Sequence, residues 1–161
     1  MDLSAINPII LTAALISAAT PILLAATGEL VAERAGVLNL GVEGMMITGA
    51  VSGFIISVNT GSPAIGFAMA AVGGATLSLL FAFLTQVALA NQVASGLALT
   101  LFGLGISSLM GQNYVSIKPP RMPDVDFGPL SDIPVLGQIL FSHDPIVYVS
   151  LFIVAGVWAT L

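Results

Sequence analysis

The sequence has no cysteine, and only 7% of its 161 residues are charged. The absence of cysteine excludes disulfide bonds and thiolate metal sites. A soluble domain carries about 25% charged residues, so this chain has too few polar groups to cover the surface of a soluble domain. With 57% hydrophobic residues and a mean hydropathy of +1.08, the chain is predicted to be an integral membrane protein.

Basic residues are also scarce, since lysine and arginine together number three. This excludes the basic surface that nucleic-acid binding requires. The only lysine, Lys118, lies outside any Gly-x4-Gly-Lys-Ser/Thr loop, so the chain has no ATP site of that kind. No metal site and no cofactor are predicted. The single histidine, His143, is expected to be a solvated loop residue or a helix flank, and the alternative is a ligand or proton carrier.

Long apolar runs separated by turn residues predict an all-α fold, a polytopic transmembrane helix bundle of about five spans. The predicted spans cover residues 7–26, a run from 36 or 42 to 58, 64–88, 91–114, and 145 onwards. Small residues one turn apart, Gly49-x3-Gly53 and Ala70-x3-Gly74, predict close helix approach. The fifth run would form about 25 Å of helix against a bilayer core of about 30 Å, so we expect Leu161 to mark a cut within or at the end of a span.

Charge is concentrated between two long uncharged runs. Residues 28–46 hold four of the eleven charged residues, which are Glu29, Glu33, Arg34 and Glu43. Glycines at 28, 36, 41 and 44 weaken a helix there. We therefore predict a broken or re-entrant segment near residues 28–44, because irregular backbone at membrane depth is tolerated where it is buried or lines a cavity. The alternative is an ordinary interfacial loop.

Three blocks of sequence resemble the ABC importer permeases of the nucleoside and simple-sugar branch, which is related to the branched-chain amino acid and ribose permeases. The first is TPILLAATGELVAERAGVLNLGVEGMM at residues 20–46. The second is ANQVASGLAL at residues 90–99. The third combines LSDIPVLGQILF at residues 130–141 with PIVY at residues 145–148. Members of that family are about twice this long, so the resemblance implies that residues 1–161 are the N-terminal half of a single permease domain.

The resemblance also implies partners and a location. A separate ATPase subunit would hydrolyse ATP, so the chain itself would not be an enzyme. A second permease subunit would complete the pathway, and an extracytoplasmic substrate-binding lipoprotein would deliver the substrate. The chain would be a multi-pass protein of the cell or inner membrane, embedded in the lipid bilayer. The N-terminus and the loop at residues 115–143 would face outwards, and residues 28–44 would lie towards the cytoplasm.

Polar placement and the motif match together suggest two groups of functional residues. The expected substrate-pathway residues are Asn39, Glu43, Asn91, Gln92 and Ser95. The expected structural or ion-pairing residues are Glu29, Glu33 and Arg34. For the group that opens the fourth span, helix capping and hydrogen bonds between helices are the alternative roles.

Other functions remain open on the sequence alone. Within the family, a branched-chain amino acid is the alternative substrate. An ion-gradient-driven secondary transporter or channel would need an intramembrane acid, and Glu43 is the one plausible candidate. A structural membrane protein without transport activity is a third interpretation, which the polar blocks disfavour.

Overall fold

The computed structural model describes residues 7–123, 125, 128, 133, 136–141 and 143–161. Its elements in chain order are α1 (Pro8–Arg34), α2 (Val42–Thr60), α3 (Pro63–Ala82), a π-helical segment (Phe83–Val87), α4 (Gln92–Gly111), a 3-10 turn (Gln112–Tyr114), α5 (Leu136–Leu140) and α6 (Pro145–Thr160). The described residues contain no β-strand, which confirms the all-α prediction.

Four helical stretches are long and apolar enough to cross a membrane. They are Pro8–Arg34, Val42–Thr60, Pro63–Val87 and Gln92–Tyr114. The fifth predicted span corresponds to α6, a shorter apolar helix of 16 residues. Much of the large apolar surface of these helices is exposed, as lipid-facing surface is in an integral membrane protein.

Helix α1 continues past the predicted end of the first span. It runs through Pro21 and Gly28 and ends at Arg34 rather than near Ala26. Glu29 and Glu33 therefore lie on its last two turns. The irregular backbone predicted near residues 28–44 is limited to the α1–α2 loop, residues 35–41.

Helix α2 packs against α3 through glycine backbone. A Cβ added to Gly53 would lie 2.7 Å from the Gly66 carbonyl oxygen and 2.7 Å from the Ala70 Cβ atom. One added to Gly49 would lie 2.8 Å from the Ala70 carbonyl oxygen and 3.4 Å from the Gly74 nitrogen. The two small-residue motifs thus face each other, which confirms the predicted close approach.

The start of α2 also packs closely on α4. A Cβ on Gly44 would lie 2.6 Å from the Leu99 carbonyl oxygen, and one on Gly103 would lie 2.6 Å from the Gly44 carbonyl oxygen. The residue just before α2, Gly41, is also in close contact with α4, because a Cβ on Gly96 would lie 2.9 Å from the Gly41 nitrogen. Glycine is therefore required here by backbone contact.

A small buried apolar cluster joins these three helices. Its members are Met45, Leu77, Phe81 and Leu99, with Val37 and Leu84 packed against it. The cluster lies near the end of the helices that carries the α1–α2 loop, because Met45 belongs to the first turns of α2 and Val37 to the loop itself. At the other end, the Asn59 amide donates to the Tyr114 hydroxyl over 2.9 Å.

Residues 29–121, just described, form one compact unit. A second unit combines residues up to Gly28 with Met122 to Leu161. There, His143 is only 4% exposed; its Nδ1 atom lies 3.2 Å from Ser17 Oγ, and its Nε2 atom lies 2.8 Å from the Ile139 carbonyl oxygen. His143 does flank α6, but the expectation of a solvated side chain is wrong, because distant residues of the chain enclose it.

Part of the predicted outer loop lies outside the described residues. This applies to Asp124, Asp126, Pro129, Asp132 and Pro134. At its end, Asp144 takes the N-cap position of α6 and Pro145 its first turn, as the sequence predicts.

Candidate functional site

The α1–α2 loop begins with a turn that only a flexible residue adopts easily. The Val37 amide donates to the Ala32 carbonyl over 3.0 Å, and the Gly36 amide donates to the Glu33 carbonyl over 2.9 Å. Gly36 has a φ of 80°. This pattern is a Schellman helix end with glycine at the left-handed position. It stops α1 and directs the chain towards α2.

Glu29 holds this loop from the side of α1. Its Oε1 atom accepts a hydrogen bond from the Asn39 amide over 3.2 Å. Its Oε2 atom is buried and has no hydrogen-bond partner in the described part of the chain. The carboxylate therefore satisfies a loop amide, and the structural role of Glu29 stays a prediction.

Two side chains of α4 hold the loop from the other side. Gln92 Oε1 accepts from the Leu38 amide over 2.8 Å. The Thr100 hydroxyl lies 3.1 Å from the Leu40 carbonyl oxygen and 3.3 Å from the Gly96 carbonyl oxygen, and it donates to these acceptors. The structure thus brings Glu29, the loop and Gln92 together. Thr100 is not predicted from the sequence, because a threonine inside an apolar span gives no signal of its partner.

Asn39 is hydrogen-bonded within the loop, whereas Glu43 is exposed at the start of α2. The half-buried Asn39 side chain accepts from the Gly41 amide over 2.9 Å and donates to Met45 Sδ over 3.6 Å. Glu43 is exposed in the first turn of α2, where the helix dipole favours a negative charge. Because α2 begins only at Val42, these two residues do not share a face of one continuous helix.

The other predicted residues lie around the same end of this unit. Asn91 Oδ1 accepts from the Ala94 amide over 3.0 Å, which confirms it as the N-cap of α4. Ser95 is half-buried on the first turn of that helix. Glu33 and Arg34 are exposed on the last turn of α1. Pathway and ion-pair roles for these residues remain predictions.

A cavity of about 160 Å³ lies beside the loop, and we refer to it as the α1–α3 cavity. Its lining is Ala32, Val37, Asn39, Ser78, Phe81, Ala82, Thr85 and Gln86. Ser78, Thr85 and Gln86 are not among the residues predicted from the sequence. The adjacent polar pair Thr85-Gln86 inside a predicted span was the available signal.

The wall of this cavity includes the π-helical segment. There the Ala88 amide donates to the Phe83 carbonyl over 3.0 Å, five residues back, in place of the usual four. Leu89 then adopts a φ of 54°, and the Ala90 amide donates to the Leu84 carbonyl over 2.9 Å. Short π-helical turns are rare and are often found at functional sites.

Four crossing-length helices, closely packed glycine backbones and a polar loop tied between α1 and α4 are features of a polytopic membrane protein. Residues 11–161 match the family described as the permease component of the branched-chain amino acid transport system. The match covers nearly all of the chain, so the chain belongs to this family.

Three curated relatives make the family placement more specific. The chain is 40% identical over 149 residues to the putative glucose ABC transporter permease protein TsgC13 of Haloferax volcanii. It is 33% identical over 166 residues to the guanosine ABC transporter permease protein NupQ of Bacillus subtilis. It is 30% identical over 145 residues to the nucleoside ABC transporter permease protein NupC of Lactococcus lactis subsp. cremoris.

These matches cover 90%, 96% and 83% of the chain, but 45%, 51% and 45% of the respective relatives. The chain therefore spans about half the length of the curated relatives it matches. No solved structure matches the chain. The sequence-based assignment to the nucleoside and simple-sugar branch of the permeases is confirmed.

Proposed function

We propose that the chain is the N-terminal half of the transmembrane permease subunit of an ATP-binding-cassette importer, and that it forms part of the translocation pathway. The observation that carries this proposal is the family match over residues 11–161 together with relatives named as ABC permeases. ATP hydrolysis belongs to a separate ATPase subunit. A second permease subunit and an extracytoplasmic substrate-binding lipoprotein complete the transporter.

The proposed substrates are nucleosides or simple sugars. One relative is named for glucose and two for guanosine or nucleosides. These compounds share a neutral ring that carries several hydroxyl groups. A pathway for them needs hydrogen-bonding groups more than fixed charges, and the amides and hydroxyls around the α1–α2 loop supply such groups.

The pathway residues of the proposal remain Asn39, Glu43, Asn91, Gln92 and Ser95. The carbonyl oxygens of Asn91 and Gln92 already accept backbone hydrogen bonds. In a pathway role, their NH₂ groups would contact the substrate while their oxygens hold the protein backbone.

Uptake of radiolabelled guanosine and glucose by cells that express the full-length transporter tests the proposed function. We expect uptake to require the co-expressed ATPase and to cease when the phosphate-binding lysine of that ATPase is replaced. A matched strain that lacks only the permease provides the control. Uptake that is unchanged without the ATPase would contradict the importer proposal.

The second candidate is a branched-chain amino acid as substrate, which the description of the matching family favours. An amino acid carries an ammonium and a carboxylate group, and each needs a partner when it leaves water. Radiolabelled leucine in the same assay separates the two candidates. An ion-gradient-driven transporter would instead lose uptake when an ionophore collapses the gradient while ATP is maintained.

A further inference from the structure

We propose that the α1–α3 cavity binds the neutral sugar ring of a pentose- or hexose-containing substrate. This inference rests on the proposed function, because it names the part of the substrate that is held at one point of the pathway. The cavity lies within the unit formed by residues 29–121 and is bounded by α1, the α1–α2 loop, α3 and the π-helical segment.

The size of the cavity fits one ring. Its volume is about 160 Å³. A protein cavity of about 150 Å³ accommodates a six-membered carbon ring. A pentose or hexose ring is of this order, whereas a whole nucleoside, with its base, would extend beyond the cavity. The cavity would therefore hold the sugar and leave the base outside.

The lining selects a neutral ligand. None of the described lining residues is charged. A carboxylate, phosphate or ammonium group would find no opposite charge there to replace the water that it loses against the buried part of the lining, formed by Phe81 and Thr85. A sugar ring carries no charge, so it avoids this cost. A free amino acid does not.

The polar groups of the lining are available to bind hydroxyls. The side chains of Ser78 and Gln86 make no hydrogen bond to any other described residue. The Thr85 hydroxyl donates to the Phe81 carbonyl over 2.9 Å, and its oxygen can still accept. Each ring hydroxyl can both donate and accept, so it can bond an amide, a serine and a threonine in turn.

The apolar groups of the lining suit the faces of the ring. Phe81, Val37 and Ala82 contribute carbon surface to the same cavity. A sugar ring combines polar edges with C–H surface on its faces. Mixed lining of this kind, mainly apolar with a few placed polar groups, is typical of small-molecule sites.

Cysteine accessibility tests the proposal directly in a transporter whose cysteines outside residues 1–161 have been replaced, because residues 1–161 contain none. Ser78→Cys places a thiol of nearly the same size in the cavity wall. In the intact transporter, we expect a small methanethiosulfonate reagent to label it, and we expect D-ribose or D-glucose to slow the labelling several-fold. Thr60→Cys, exposed at the other end of the same unit, is the control that the sugars should not protect.

A matched pair of variants provides the functional measurement. Gln86→Leu keeps the side-chain volume but removes a hydrogen bond to the ligand, which should raise the half-saturating substrate concentration about five-fold. Gln112→Leu makes the same chemical change at an exposed position of the 3-10 turn and should leave it unchanged.

Two results would overturn the sugar-ring proposal. One is a Ser78→Cys thiol that no reagent labels, since the cavity would then be closed to ligands. The other is labelling that sugars leave unchanged, or that leucine slows instead. ATP-dependent nucleoside or sugar uptake by the wild-type transporter would still stand in either case. Failure of this proposal is thus distinct from failure of the proposed function.

Discussion

Individual side chains determine the path of the α1–α2 loop. Glu29 and Gln92 accept from consecutive loop amides, those of Asn39 and Leu38. These two amides need such acceptors on the neighbouring helices, because, unlike those of Gly36 and Val37, they do not donate to a carbonyl of α1. Gln92, which the sequence suggested as a pathway residue, thus also shapes the loop backbone together with Glu29.

The first prediction concerns Glu29. Glu29→Gln keeps an acceptor for the Asn39 amide and removes a charge whose Oε2 atom is buried without a hydrogen-bond partner among the described residues. We expect it to be neutral or slightly stabilising. Glu29→Ala leaves the Asn39 amide without its acceptor and should cost about 1–3 kcal/mol. Thermal unfolding of the purified protein in detergent measures both variants. Equal destabilisation by Gln and Ala would contradict the role of acceptor.

The second prediction concerns Asn39 and Glu43. If they line the pathway, Asn39→Ala and Glu43→Ala should each reduce nucleoside uptake at equal expression, with Asn39→Ala also weakening the turn at Gly41. Asn113→Ala, at an exposed position in the 3-10 turn, is the control and should transport normally. Wild-type uptake by both variants would remove these residues from the pathway.

At the scale of helices, α2 packs against α3 and α4 mainly through contacts between backbones. The carbonyl oxygens of Gly44, Gly66 and Ala70 each occupy the space where a neighbouring glycine lacks a side chain. Without a strong hydrophobic driving force between helices in lipid, such close approach supplies the van der Waals contact that holds them together. We therefore expect a single methyl group added at one of these close-contact glycines to destabilise the packing of the helices.

The third prediction uses two glycines of α4. A Cβ at Gly103 would lie 2.6 Å from the Gly44 carbonyl oxygen, while one at Gly105 meets nothing within 4 Å. Gly103→Ala should destabilise the protein by about 1–3 kcal/mol, as overpacking does. Gly105→Ala should be neutral or stabilise it by up to about 1 kcal/mol, because alanine favours helix. Unfolding temperatures in detergent compare the two. Equal shifts would contradict the backbone contact.

Some of these structural features could be predicted from the sequence, and others could not. The two small-residue motifs predicted the contact between α2 and α3, because the spacing of one helical turn already places Gly49 and Gly53 on one face. The end of α1 was missed, because Gly28 suggested a break that the rest of a long helix overrides. The π-helical segment and the cavity were not predictable, since a backbone register shift leaves no periodic trace in an apolar run.

His143 shows a second limit of structure prediction from the sequence. Its partner Ser17 lies 126 residues earlier in the chain. Local patterns carry no information about such a pair, so a lone histidine beside a helix start was assigned to solvent. Glu29 and the other charged residues near the loop were predictable because charge is conspicuous in this composition, whereas Thr100 was hidden among similar small residues.

At the scale of the whole molecule, two hydrogen bonds show which segments of the unit formed by residues 29–121 lie at each of its ends. The bond between Asn59 and Tyr114 places the turn after α2 and the exit of α4 at one end. The bond between Leu38 and Gln92 places the α1–α2 loop and the start of α4 at the other. The family resemblance implies that this second end faces the cytoplasm.

The fourth prediction tests that orientation with single cysteines. Thr60→Cys and Ser116→Cys should react with a membrane-impermeant maleimide on intact cells, because both positions are exposed at the proposed outer end. Ala35→Cys and Leu89→Cys, exposed at the opposite end, should react only after permeabilisation. The reverse pattern would invert the proposed topology. Labelling of all four on intact cells would contradict a membrane-spanning arrangement.

The glycine contacts also limit how this unit could move in the proposed transport cycle. Helices that meet through bulky side chains can slide by small amounts as those side chains change rotamers. Where a carbonyl oxygen occupies the space of the neighbouring glycine's missing Cβ, as between Gly44 and Gly103, there are no side chains to rearrange. We therefore expect α2, α3 and α4 to travel as one rigid body. Conformational change within this unit would be confined to the α1–α2 loop and the π-helical segment, where hydrogen bonds can be exchanged one at a time.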